Sequence, residues 1–176
     1  MAISLYEVSV LSFLQTLEGV SGVLDKGLAW CAETGADPEA IVGTRLIDDM
    51  HPFQFQIMQA VLHSVGAIEA VMTGVLDRPG ERPRPDYAGL QALVHEARDR
   101  LGRLTPDEVN AREGQEVLFD IPGNQRLFTA EGFILTFSLP NFHFHATTAY
   151  DILRAKGVPI GKRDFMGPLR LKPVAE

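Results

Sequence analysis

FILTFSLPNFHFHATTAYDILRAKG, residues 133–157, decides the fold, because its Phe-rich first half suits a strand and its second half a helix. Ala149, Ile152, Leu153 and Gly157 carry an apolar pattern further than one ordinary strand reaches, which predicts a helix over residues 131–156. Thr129 would cap it, Glu131 would stand in its first turn, Pro140 would kink it and Gly157 would close it. At 100° per residue, Ile134, Phe137, His145, Thr148, Ala149 and Ile152 then share one apolar sector. His145 faces the core and His143 points about 200° away, so one helix face cannot bring both to one ion. In a strand the two would share a face.

Upstream, EVLFDIPGNQRLFTA (116–130) holds two short β-prone runs around Pro122-Gly123-Asn124, a hairpin with a three- or four-residue turn. Two strands alone are marginal, so the hairpin must lean on helices. Before it, Tyr87, Leu90, Val94, Ala97, Leu101 and Leu104 define a third helix, and DRPGERPRP (77–85) is an exposed loop that joins it to the second. The second helix starts at Pro52 and places Ile57, Val61, Val65, Ile68, Met72 and Val75 on one face. Asp37-Pro38-Glu39 opens a short helix to about Val42. From Ser4, a plausible cap, Val10, Leu14, Leu17, Ser21, Leu24, Leu28 and Cys31 trace one long first helix that Gly35 ends. The expected architecture is therefore mainly α, four periodic helices with a small β-hairpin before the last, and residues 1–176 form a single domain.

With 176 residues, 45% of them hydrophobic and 22% charged, the chain has ordinary globular composition. A net charge of −7 opposes a phosphate backbone, so no nucleic-acid partner is expected. No run approaches the ~18 apolar residues of a membrane helix, and no basic cluster precedes an apolar core at the N-terminus. The expectation is a soluble cytoplasmic protein with no membrane partner. Cys31, the single cysteine, cannot form an internal disulfide and reads as a small buried hydrophobe.

A helix-borne metal site wants a second ligand three or four residues on, but after His145 those places hold Thr148 and Ala149, and Asp151 lies on another face. A buried histidine donating to a backbone carbonyl or a tyrosine is the plainer alternative. His63 lies about 140° from the centre of the second helix's stripe, beside Gln56, Gln59 and Ala70, and reads as a solvated or dimer-contact residue. A pairing of His63 with His145 from a facing helix stays geometrically open. His95 adjoins the Val94 stripe, and His51 precedes Pro52 near Arg45, Asp48 and Asp49. GVPIGKRDFMG (157–167) either cradles an anion or forms a solvated turn in which Arg163 and Asp164 pair and Phe165 anchors to the body. No nucleophile elbow, P-loop, dinucleotide fingerprint or C-x-x-C is present.

The stretches ISLYEVSVLSFLQTLEGVSGVLDKG, RLIDDMHPFQFQI, LPNFHFHATTAYDILRAKGV and IGKRDFMG make the chain resemble DUF1993, a bacterial family of unknown function in the DinB/YfiT-like superfamily. The resemblance covers nearly the whole length and implies a DinB-type four-helix bundle, often dimeric. Metal-binding members of that superfamily use one histidine of the second long helix and an H-x-x-x-H pair on the last helix to hold nickel or zinc. Some are thiol transferases or thiol-dependent hydrolases. Here His63 matches the first position loosely, while Asn141 precedes His145 by four residues and Ala149 follows it by four, so only one member of the pair is present.

The leading expectation is a metal-free, homodimeric protein that binds a small ligand or a partner. Its pocket would lie between the second and last helices, lined by Asp49, Asn141, His145 and Tyr150. The rival is a divalent-metal hydrolase or thiol transferase in which His145, with His63 or His143, holds nickel, zinc or iron and activates a bound water. A third reading is a dimerisation module alone.

Overall fold

The computed structural model describes residues 3–76, 84–121 and 124–172. Ser4 opens helix α1 (Leu5–Val8) with a capping box: its hydroxyl accepts from the Glu7 N–H and the Glu7 carboxylate accepts from the Ser4 N–H. The expected single first helix is interrupted at Ser9, a buried residue whose hydroxyl donates to the Leu5 carbonyl at 2.5 Å, a bond of the kind that bends helices. Helix α2 (Val10–Thr34) follows and ends at Gly35, with φ of 74°. Its buried stripe runs Leu17, Val20, Leu24, Gly27, Cys31, and Leu28, expected on it, is 39% exposed. Gly27 is invisible to a hydrophobic pattern, yet it makes room for Tyr87, whose hydroxyl donates to the Leu24 carbonyl at 2.9 Å. Cys31 is buried as read, and burial pushes its thiol up.

Asp37 caps α3 (Pro38–Val42) through the Glu39 N–H. Beyond Pro52 come α4 (Phe53–Val61), a π-helical turn at Leu62–Gly66, and α5 (Ala67–Thr73), closed by Gly74 at φ 82°. Contrary to the sequence expectation, Phe53–Thr73 is long and apolar enough by composition to cross a membrane; 56% of that window is buried inside the bundle, as a core helix would be. The loop 77–85 lies outside the described residues except for Arg84 and Pro85. Helix α6 (Tyr87–Gly102) buries Tyr87, Leu90, Val94, Ala97 and Leu101, as its spacing predicts. Helix α7 (Pro106–Asn110), with a Thr105–Glu108 capping box, is one short turn that the apolar spacing does not show.

Strands β1 (Glu116–Ile121) and β2 (Asn124–Thr129) pair antiparallel, with Val117 opposite Phe128. Ile121 pairs with Asn124, so the connection is two residues, shorter than expected because Asn124 itself joins the ladder. The free edge of β1 bonds to the end of α5: Leu118 donates to Gly74 at 2.8 Å and accepts from Leu76 at 2.9 Å. Those bonds and the burial of Val117 and Phe119 are what two strands need to persist.

Thr129 caps α8 (Ala130–Phe133) through the Gly132 N–H, and a second π-helical turn at Ile134–Ser138 leads into α9 (Leu139–Ala155). The wide turn stands where Pro140 would otherwise clash with the carbonyl four residues back. Gly157, at φ 98°, ends the run as expected.

The tail adds α10 (Lys162–Met166), laid on α2 so closely that a Cβ on Gly19 would overlap the Phe165 carbonyl. Asp164 accepts from the Gly161 N–H at 2.7 Å and pairs with Lys26 at 2.5 Å rather than with Arg163, so its own carboxylate occupies the loop read as an anion cradle. Phe165 does anchor the segment, edge-on to Tyr150. In the bundle α2 packs on α6 and α4 on α9 around one continuous core.

Candidate functional site

The site begins with two stripes. On α4 and its continuation, Phe53, Gln56, Ala60, His63, Ala67 and Ala70 recur at steps of three and four, and none is more than 4% exposed. On the facing helix, Ser138, Asn141, His145, Thr148 and Ile152 recur the same way. The first stripe corrects the reading of His63, which is 4% exposed and neither solvated nor at a free surface. Its centre was misplaced because Val61 and Met72 are only half-buried and Val75 is 43% exposed, while the small residues Ala60, Ala67 and Ala70 are buried on the true inner face.

Between the stripes lies a polar seam. His63 and His145 stack nearly parallel, 12° between planes, with ring centroids 6.0 Å apart. His145 Nδ1 lies 2.7 Å from Gln56 Oε1, and Gln56 Nε2 donates to the His51 carbonyl at 2.8 Å. Phe55 presents its edge to His145 and stacks on His51 at 4.0 Å, and Phe137 meets His63 at 5.3 Å. Burial, with His51 adding to it, pushes the His145 imidazole down to about 4, so the ring is neutral at physiological pH. Ser138 is fully buried and its hydroxyl has no hydrogen-bond partner among the described residues. Both helices carry their π-turn here: His63 stands in one and Ser138 ends the other.

Of the residues expected to line a pocket, Asn141 and His145 are together on one flank of α9, where the Asn141 amide donates to the Phe137 carbonyl at 2.7 Å. Asp49 is exposed in the turn before His51, its carboxylate without a hydrogen bond or ion pair among the described residues. Tyr150 is on the other flank, against Phe165. His143 is exposed beside Phe142, away from the seam. His95 is exposed and bonds to Ser21 at 3.0 Å. Sequence reasoning missed Gln56 and Ser138 as site residues, and admitted His63 only as a ligand in the rival metal reading. The signal that would have found them is a three-four stripe mixing alanine with polar side chains, which a purely hydrophobic pattern discards.

The superfamily's metal can be tested against this donor set. His63 and His145 supply two imidazoles, but the positions four residues either side of His145 hold Asn141, an amide whose oxygen suits hard ions rather than nickel or zinc, and Ala149, which offers no ligand. Among the described residues no three His, Cys, Asp or Glu side chains gather around a point that could hold an ion. The residues present do not fit the three-histidine site.

The bundle, with its hairpin before the last helix, is DinB-like: a DinB family member from Shewanella denitrificans superposes with a TM-score of 0.82 at 22% identity, covering 97% of this chain and 96% of that one. Within that class the chain belongs to DUF1993, a domain of unknown function whose family model matches residues 5–166. Among curated proteins, none matches the sequence.

Proposed function

We propose that the protein binds a small organic ligand at the seam between α4 and α9, without a metal ion. The observation that supports this most directly is the Ser138 hydroxyl, buried without a partner among the described residues on the same face of the last helix as Asn141 and His145. Seven residues separate Ser138 from His145, about 20° short of two full turns. Burying an unpaired hydroxyl costs about 1–3 kcal/mol, and a bundle selected for stability alone would place alanine there. Asp49, in the turn leading to His51, would stand at the rim of such a site; Tyr150 would not reach it. The protein is taken to act as a cytoplasmic homodimer, which light scattering on the purified protein checks.

The test pairs a fragment screen by thermal shift on the wild type with the same screen on His145→Ala. Ligands that raise Tm in the wild type and not in a folded His145→Ala protein support the reading; hits unaffected by the substitution move the site elsewhere. Elemental analysis of untagged protein purified without chelator is expected to find nickel, zinc and iron each well below one equivalent. One equivalent, lost in His145→Ala, would reverse the reading in favour of a metal-dependent hydrolase or thiol transferase.

A further inference from the structure

Gln56 is buried to 2% exposure between the His51 backbone and the His145 ring, and each of its two amide atoms has one partner. A backbone carbonyl only accepts, so the amide NH₂ must face His51 and the amide oxygen must face His145. That oxygen also only accepts, so the proton of the neutral imidazole sits on Nδ1, opposite to the tautomer a free histidine side chain favours. His145 Nε2 is left as a bare lone pair. It has no hydrogen bond among the described residues and, unlike the Ser138 hydroxyl, is not sealed from solvent.

Resting on the ligand-binding reading above, we infer that Gln56 is the specificity-determining residue of this site: by fixing the proton on His145 Nδ1 it makes Nε2 an acceptor only, so the site takes uncharged molecules that bring an O–H, N–H or S–H donor. Carboxylates have no such proton, and both carboxylates and phosphates bring a negative charge that the two facing stripes, which contain no lysine or arginine, do nothing to offset. The neutrality of the ring agrees with this, since a charged imidazolium would donate from both nitrogens. Phe55, Phe144 and His63 surround the ring at centroid distances of 5.9, 5.3 and 6.0 Å, which suits a flat donor-bearing molecule.

Long-range proton–nitrogen NMR of the ring, assigned by its absence in His145→Gln, reads the tautomer directly in the free protein. An Nδ1–H ring in the wild type is expected, and an Nε2–H ring overturns the inference. Gln56→Met should switch His145 to Nε2–H; should that variant not fold, Gln56→Asn, too short to reach, gives the same reading. A folded variant that keeps Nδ1–H removes Gln56 from the role. Phenol, anisole and benzoate then probe the site through the Nε2 resonance. Phenol is expected to bind about tenfold more tightly than anisole, the worth of one hydrogen bond, and benzoate not to bind. Equal responses to phenol and anisole overturn donor selection. An Nδ1–H ring that responds to none of the three overturns the ligand-binding reading and leaves the tautomer assignment standing.

Discussion

The helix pair α2–α6 and the helix pair α4–α9 are built on the same plan and used differently. In the first, the buried Tyr87 hydroxyl and Ser21 are both paired, Tyr87 donating to the Leu24 carbonyl at 2.9 Å and Ser21 bonding with His95 and Arg98, and further bonds run along the rim, Gln91 to Asp25 at 2.7 Å and Arg98 to Glu18. Both helices are regular. In the second, Gln56, His63 and Ser138 sit inside the contact with exposures of 4% or less, and each helix run opens into a π-turn beside them. Polar groups at a rim cost little, because water remains to satisfy them; the same groups in a contact must be satisfied by each other or by something that arrives. Departures from the simplest packing are concentrated on one side of the bundle, which is where a site is expected in a fold that otherwise obeys its own local rules.

The comparison is tested most severely at Phe13, a fully buried residue of α2 whose ring meets Phe142 edge-on at 5.0 Å. Phe13→Ala should lose about 3–5 kcal/mol in denaturant unfolding, as a cavity in a close-packed core does. A loss under ~1 kcal/mol would mean that the core where α2 meets α9 is not close-packed. The next effect comes from the seam. His145 in the folded protein takes up its proton only near pH 4, whereas the unfolded chain takes it up below about 6.5. Between those values the unfolded state binds more protons, so stability is full above 6.5 and falls as pH drops toward 4. Its share is on the order of 1–2 kcal/mol for this half-buried ring. In His145→Gln that slope should flatten, and an unchanged slope would assign the acid sensitivity to other groups.

The same contrast explains what the sequence discloses. Helix α6 is legible because Tyr87, Leu90, Val94, Ala97 and Leu101 repeat without interruption, and the hairpin because β-prone runs flank Pro-Gly. The seam is half legible. The spacing places His145 correctly and leaves its meeting with His63 open as a geometry, but Gln56 and His63 read as solvent-facing because glutamine and histidine usually belong there. Ala60, Ala67 and Ala70 are buried and Gly27 makes room for Tyr87, yet these small residues contribute almost no hydrophobic signal. The π-turns leave no composition of their own, and Pro140 hints only at the second.

Ser138→Ala gives the smallest effect and separates the two sides most sharply, because its sign is opposite to that of an ordinary core substitution. Alanine removes a buried hydroxyl that lacks a partner among the described residues and leaves a gap about one atom in size. The desolvation relieved outweighs the dispersion attraction of one oxygen atom, so the variant should gain roughly 0.5–1 kcal/mol in denaturant unfolding. Tyr87→Phe on the opposite side also removes one hydroxyl, but one that donates to the Leu24 carbonyl, and should lose about 0.5–1.5 kcal/mol. Opposite signs for two single-oxygen deletions would show that the α4–α9 seam holds its hydroxyl at a cost to stability. If Ser138→Ala destabilised as Tyr87→Phe does, the Ser138 hydroxyl would already be satisfied in the free protein, and the strongest support for a ligand at the seam would be gone.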